Sequence, residues 1–387
     1  MHGAPHVSYP DVTRIVFITG TAATVREGSG TYVGISALQK ALVALGVEVM
    51  LIEPPSALRS ALARLWFNYR ARRKALIPGA QAIVGFDLDG IFVSAWDAPN
   101  VACIDVACIK GVLAEELRFE RGLERANLRL QSWFEKKRVR QAGRVLTTSC
   151  YAARSLEQHY GIPASRVRIV PELIDLAHWQ AALARSTKES RVQASILCVA
   201  HLYARKDVVT LLRAMQRLQT TAVLRIVGIG PELPRLRRLS RQLHLESRVT
   251  FLEHISFTQL AHEYRNADVF CLPSRQEGFG IVLLEAMAAG LPVVAARAAA
   301  IPEVVPDGQC GILVEPGDAA GFAAALDALL KDPALRQRLG QAGFARAAEY
   351  DAPRVARDFL AAIGSAACSE ETASSGKEAS SSWPGPA

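Results

Sequence analysis

The sequence predicts an α/β protein of two doubly wound domains in series, and three observations carry that prediction. Short apolar runs rich in Val, Ile, Leu and Phe alternate with stretches of helical period, the rhythm of βαβ units and parallel sheets. The chain has 387 residues, more than a single hydrophobic core ordinarily organises. Half of the residues are hydrophobic, enough for each half to bury a core of its own.

In the first half, strands are predicted at 14–18 (RIVFI), 47–52 (VEVMLI), 82–86 (AIVGF), 101–104 (VACI) and 144–149 (RVLTTS). Between the first two, Ile35, Leu38, Leu42 and Leu45 recur at helical spacing, and Gly46 supplies a C-cap. The second half repeats the rhythm with SILCVA, AVLRIVG, RVTFL, DVFCLP and LPVVAA. That rhythm breaks over 171–194, where the chain turns polar, which predicts an N-terminal domain over 1–178 and a C-terminal domain over 195–350. Helical pattern runs on over 351–364, and the Ser-, Gly- and Pro-rich stretch 365–387 is predicted to be disordered. Doubly wound sheets bind ligands beyond the carboxyl ends of their strands, so a ligand cleft is expected between the domains.

Composition narrows the partners. A net charge of +8 suits an anionic substrate, an anionic membrane surface or nucleic acid. Aromatic stacking platforms and known nucleic-acid modules are missing, which argues against the last. The seven cysteines lack paired short spacings, and several lie in apolar strand-like runs. They read as core residues in a reducing compartment, with no metal site. No run approaches a membrane span, and MHGAPHVSYPDV lacks signal-peptide features, so a cytoplasmic protein is expected.

Residues 57–76 qualify that placement. They contain Arg59, Arg64, Arg70, Arg72, Arg73 and Lys74 without one acid, and Leu58, Leu62, Leu65, Trp66 and Tyr69 share one helical face. Two readings stay open: the apolar face packs on the domain, or it meets an anionic membrane or a phosphate-bearing lipid at the inner face of the membrane.

The densest chemistry is in PSRQEGFGIVLLEAMAAGLPVV. Glu277 and Glu285 stand eight positions apart around Gly278, Phe279, Gly280 and Ile281. One carboxylate falls in a Gly-rich loop, the other on the first turns of the helix that follows, whose free N–H groups attract anions. The stretch around Glu285 is almost wholly apolar, so an acid there needs a partner. Upstream lie LCVAHLYARKDVVTLLRAM, which contains His201, Arg205 and Lys206, and IVGIGPELPRLRRL, which contains Gly228 and Gly230.

Across roughly residues 195–330 these segments resemble, in order and spacing, the signature of the family 4 retaining glycosyltransferases, which have the GT-B fold of two Rossmann-like domains facing across a cleft. LCVAHLYARKD is similar to the family's "VGRLxxxKG" segment, and GIGPEL to its "GxGPxxxxL" segment. The resemblance implies transfer of a sugar from a nucleotide-diphosphate sugar, a UDP-sugar by default, to an acceptor, and the basic amphipathic stretch 57–76 makes a lipid-linked or phosphorylated acceptor the expectation. It implies no cofactor beyond the nucleotide sugar and no metal. Lys206 and Glu277 would then act at the transferred group, Lys206 on the diphosphate and Glu277 beside the sugar. His201, Arg205, Gly228, Gly230, the loop 278–281 and Glu285 would bind the donor, Glu285 through the ribose hydroxyls. A carboxylate suits that role because it accepts hydrogen bonds from two vicinal hydroxyls.

The chain also departs from the family. His201 stands where an arginine is usual, and Asp105 where a histidine often follows the fourth strand. Ala299 and Ala300 replace common glycines. The loop REGSGTYVG, with Gly28, Gly30 and Thr31, is similar to the loop that faces the cleft from the acceptor domain. These departures keep a second reading open, a catalytically inactive subunit that binds a sugar nucleotide. A nicotinamide enzyme is disfavoured, because Leu233 occupies the third glycine position of a dinucleotide fingerprint in GIGPEL.

Overall fold

A computed structural model of the chain describes residues 12–21, 30–56, 58, 60–93, 103–190 and 193–364. Gly28, Arg59 and the stretch 365–387 lie outside them. The first domain runs β1 (Arg14–Ile18), α1 (Gly30–Ala44), β2 (Glu48–Ile52), α2 (Ala61–Ala75), β3 (Ala82–Phe86), β4 (Ile104–Ile109), α3 (Leu113–Glu116), α4 (Gly122–Gln141), β5 (Arg144–Thr147), α5 (Cys150–Tyr160) and β6 (Val167–Ile169). The second runs α6 (Leu176–Arg185), β7 (Ala194–Val199), α7 (Val208–Arg217), β8 (Ala222–Val227), α8 (Leu233–Gln242), β9 (Val249–Leu252), α9 (Phe257–Asn266) and β10 (Val269–Leu272). It continues through α10 (Ile281–Ala288), β11 (Val293–Ala296), α11 (Ile301–Val304), β12 (Gly311–Val314), α12 (Ala319–Lys331) and α13 (Pro333–Ala348) to α14 (Ala352–Gly364).

Each domain holds a six-stranded parallel sheet, ordered β2-β1-β3-β4-β5-β6 and β12-β11-β10-β7-β8-β9. Strands such as β3, β10 and β11 are buried along their whole length, as expected where helices cover both faces of a parallel sheet. Several helices start where a side chain caps them. Ser60 Oγ accepts from Ala63 N, Ser149 Oγ from Ala152 N, and Ser256 with Gln259 forms a capping box on α9.

Two chain crossings join the domains side by side. Ile174 N donates to Tyr350 O at 3.0 Å and Ala352 N to Ile174 O at 2.9 Å. Beyond the first crossing, α6 sinks Trp179 and Leu183 into the second domain's core. Beyond the second, α14 returns to the first domain, where Val355, Phe359 and Ile363 join the core of Phe17, Phe86 and Val106.

Three features differ from the sequence expectation. The fourth strand is Ile104–Ile109, where the sequence predicts 101–104; residues 101 and 102 lie outside the described residues. VACI occurs twice in VACIDVACI, and pairing with β3, from Ala82↔Ile104 to Phe86↔Cys108, selects the second copy. Asp105 therefore sits at the amino end of β4, away from the cleft, held by two bonds from Arg138, 2.7 Å to Oδ2 and 2.6 Å to Oδ1. The short strand β6 is an addition. Finally, α2 buries Ala61, Asn68, Ala71 and Ala75, with Phe67 packed against the core, and leaves Leu62, Trp66 and Tyr69 exposed, because small side chains let the helix approach the sheet closely.

Candidate active site

The carboxyl ends of both sheets face each other, and the loops leaving β7, β8 and β10 build one wall. Lys206 ends a single 3-10 turn, Ala204–Lys206, between β7 and α7. Its Nζ lies 2.5 Å from Glu277 Oε1, with both side chains nearly buried. Burial pulls the Lys206 ammonium below the usual lysine range, and neighbouring Arg205 adds to that against the pull of Glu277. For Glu277, burial works upward, but Lys206 and Arg205 outweigh it and hold the carboxyl below its ordinary value. Two cations thus bias the Glu277 carboxyl toward its ionised form. Arg205 itself reaches across the domains to Glu116 of α3, 3.5 Å away.

After Glu277 the chain turns through Gly278 and Phe279 to Gly280, whose φ of 96° caps α10. A Cβ at Gly278 would stand 2.3 Å from Lys110 O of the first domain, so only glycine permits this approach. Gly278 O accepts from Ser149 Oγ at 2.8 Å and from Thr148 Oγ1 at 3.1 Å. The Phe279 ring is buried edge-on against Tyr350, 5.4 Å between centroids, which pins the loop to the crossing between domains.

A cavity of about 800 Å³ opens beside this loop, between the domains. Val33 of α1 lines it from the first domain. From the second come His201, Gly228, His254, Ser256, Ile281 and Glu285. Tyr264 Oη donates to Glu285 Oε2 at 2.8 Å, and Trp179 Nε1 donates to Glu285 O at 3.0 Å. Burial pushes the Glu285 carboxyl up to about 7, with the tyrosine bond working the other way. An acid on an apolar helix thus has its partner in Tyr264, and at neutral pH it both donates and accepts. Glu285 and Ile281, in the first turn of α10, both line this cavity.

The remaining predicted residues fall as follows. Gly228 lines the cavity, but its lack of a side chain answers first to Ala200, whose carbonyl would lie 1.9 Å from a Cβ there. Gly230 packs in the same way against the backbone of Leu202. Gly30 and Thr31 open α1 on the first-domain side. Asp105 does not join the site.

Sequence reasoning missed the first domain's contribution. Lys110, directly after β4, donates from Nζ to Glu172 Oε2 at 2.9 Å, with both side chains nearly buried. Asp87, after β3, accepts from Lys110 N at 3.0 Å, and burial lifts its carboxyl to about 6. Glu303 of α11 accepts from Cys150 N at 2.8 Å and Tyr151 N at 2.7 Å, capping α5 across the cleft. Placing the fourth strand on the second VACI would have put Lys110 at the strand end, where the signal lay.

Two facing Rossmann-like domains, a returning last helix and this cleft define the GT-B architecture. Sequence models of two families match: "Glycosyl transferases group 1" over residues 182–346 and "Glycosyltransferase Family 4" over residues 28–178. The chain belongs to these glycosyltransferases. Among curated relatives, it is 34% identical over 220 residues to the MMP α-(1→4)-mannosyltransferase of Mycolicibacterium hassiacum, covering 56% of this chain and 52% of that protein. It thus spans about half the length of that relative. Among solved structures, sucrose-phosphate synthase from Thermosynechococcus elongatus superposes with a TM-score of 0.76 at 22% identity, over 90% of this chain and 97% of the other. HepE from Anabaena, solved in complex with UDP and glucose, gives a TM-score of 0.70 at 18% identity over 91% and 99%.

Proposed function

We propose that the chain is a retaining hexosyltransferase that takes a sugar from a nucleotide-diphosphate sugar, UDP-sugars first, without a metal ion. The observation that carries this reading is the Lys206–Glu277 pair at 2.5 Å, with Glu277 on the loop that leads into α10, the helix whose Ile281 and Glu285 line the cavity. Breaking the bond between sugar C1 and the diphosphate oxygen leaves charge on the leaving group. Lys206, Arg205 and the amino end of α10 stabilise that charge where it develops. The acceptor oxygen bonds to C1 on the same face, and its proton passes to the departing phosphate. The UDP and glucose bound in HepE support the donor class.

The acceptor is proposed to be lipid-linked or phosphorylated and to be met at an anionic membrane surface through residues 57–76. Among the described residues, no helix is long and apolar enough to cross a membrane.

The test is release of UDP from UDP-glucose and related donors, without acceptor and with excess EDTA. Slow hydrolysis that persists in chelator and disappears in Lys206→Ala supports the reading. Activity that collapses with EDTA and returns with Mg²⁺ removes metal independence. Tight nucleotide binding with no hydrolysis and no transfer favours the inactive, sugar-nucleotide-binding subunit, a reading kept alive by His201 at the usual arginine position.

A further inference from the structure

Three large apolar residues of α2 point away from the domain, while Phe67 packs against its core. Leu62 is 72% exposed, Trp66 63% and Tyr69 44%, and Trp66 stacks on Tyr69 with ring centroids 5.8 Å apart. Arg72 lies over the Tyr69 ring at 4.1 Å, while Arg70, Arg73 and Lys74 are exposed. Helix α4 packs alongside, tied by Ala61 N to Asn127 Oδ1 at 2.8 Å and Arg64 Nη1 to Gln131 Oε1 at 3.3 Å. It too exposes large apolar residues, Leu123 at 89% and Trp133 at 58%, among exposed Arg125, Arg129 and Lys137. Protein surfaces seldom leave such residues together without use.

We propose that α2 and α4 form one docking surface for an anionic lipid bilayer, both helices lying in the headgroup plane. This deepens the membrane part of the function proposed above and rests on it. Tryptophan and tyrosine settle at the boundary between headgroup and acyl chain, and the arginines and lysines meet lipid phosphate. A second copy of the chain is a poorer occupant, since the face would meet its own positive charge. The buried side of α2 ties docking to the cleft. Arg64 donates to Asp89 at 3.0 and 2.8 Å, and Asp89 Oδ2 in turn accepts from Gly20 N, on the segment leaving β1. A bilayer held by the outer face of α2 thus lies against the helix that braces the acceptor side, where a lipid-linked hydroxyl would enter.

The experiment is flotation of the full chain with phosphatidylcholine vesicles, with and without phosphatidylglycerol. The wild type is expected to float with anionic vesicles at low salt, lose binding as salt rises, and ignore neutral vesicles. Leu62→Ser/Trp66→Ser and, separately, Leu123→Ser/Trp133→Ser are each expected to cut binding about tenfold, while Phe344→Ser, at an exposed residue of α13, leaves it unchanged. No flotation of the wild type, or flotation indifferent to both double variants, overturns the proposal. So does a dimer, seen by light scattering, that Leu62→Ser/Trp66→Ser dissolves. A UDP thermal shift in every variant confirms folding. It also separates the two readings, since a chain that floats without binding UDP keeps the docking surface and loses the donor.

Discussion

Two buried lysine–glutamate pairs face each other across the cleft, Lys206–Glu277 at 2.5 Å and Lys110–Glu172 at 2.9 Å. Each lysine follows a central strand of its sheet, and the geometry is nearly the same. The electrostatic balance is opposite. Burial and Arg205 hold Lys206 below the usual lysine range. Burial also works against Lys110, yet Glu172 and Asp87 more than offset it and hold the ammonium above that range. Lys206 is thus less fully offset by its glutamate against burial than Lys110 is by Glu172 and Asp87. Under the function proposed above the first pair receives the diphosphate, whereas the second ties the end of β4 to Glu172 within the first domain.

Replacement is expected to break that comparison most visibly at the donor pair. Lys206→Ala should lower kcat/KM for the nucleotide sugar by about a thousandfold, since it removes a donor aimed at developing charge, and steady-state UDP release reads the loss directly. Lys110→Met should act on stability first. It strands Glu172, and urea unfolding should show a loss of about 3–5 kcal/mol. Lys110→Met/Glu172→Gln should recover most of that loss, which a pair acting mainly in chemistry would not do.

A smaller effect concerns Glu285. Its carboxyl titrates near 7 in the folded chain against an ordinary value of 4.5, so the folded state holds its proton more tightly than the unfolded state. The sign follows: the stabilisation is full below 4.5 and is lost as pH rises through about 7. Glu285→Gln should flatten that dependence, and the unfolding free energies from urea titrations at pH 5.5 and 8 should differ less in the variant, by on the order of 2 kcal/mol. The smallest expected effect is that of chelation. EDTA should leave the transfer rate within about twofold, because the charge is neutralised by side chains and helix termini.

The same comparison explains what could be read from the sequence. Lys206, Glu277 and Glu285 come from loops after β7 and β10 and from the helix that follows, so their spacing survives as a motif, and the apolar run around Glu285 marked it as an acid in need of a partner. The acceptor side has no such compact signature. Arg64, Asp87, Lys110 and Glu172 come from four separate segments, and only the sheet order brings them to one edge. The doubled VACI hid the register of β4, which sent Asp105 to the wrong end of the strand and left Lys110 unnoticed. The α2 pattern was visible as amphipathic, but which face is buried depended on Ala61, Asn68, Ala71 and Ala75, whose small size favours close packing without producing an apolar stripe.

Calorimetric titration of UDP into the wild type, Lys206→Ala and Lys110→Met/Glu172→Gln tests the central claim most directly. The expected result is binding weakened by about thirtyfold or more without Lys206 and little changed without the Lys110 pair. Equal affinity in wild type and Lys206→Ala would contradict the claim that this ammonium grips the diphosphate.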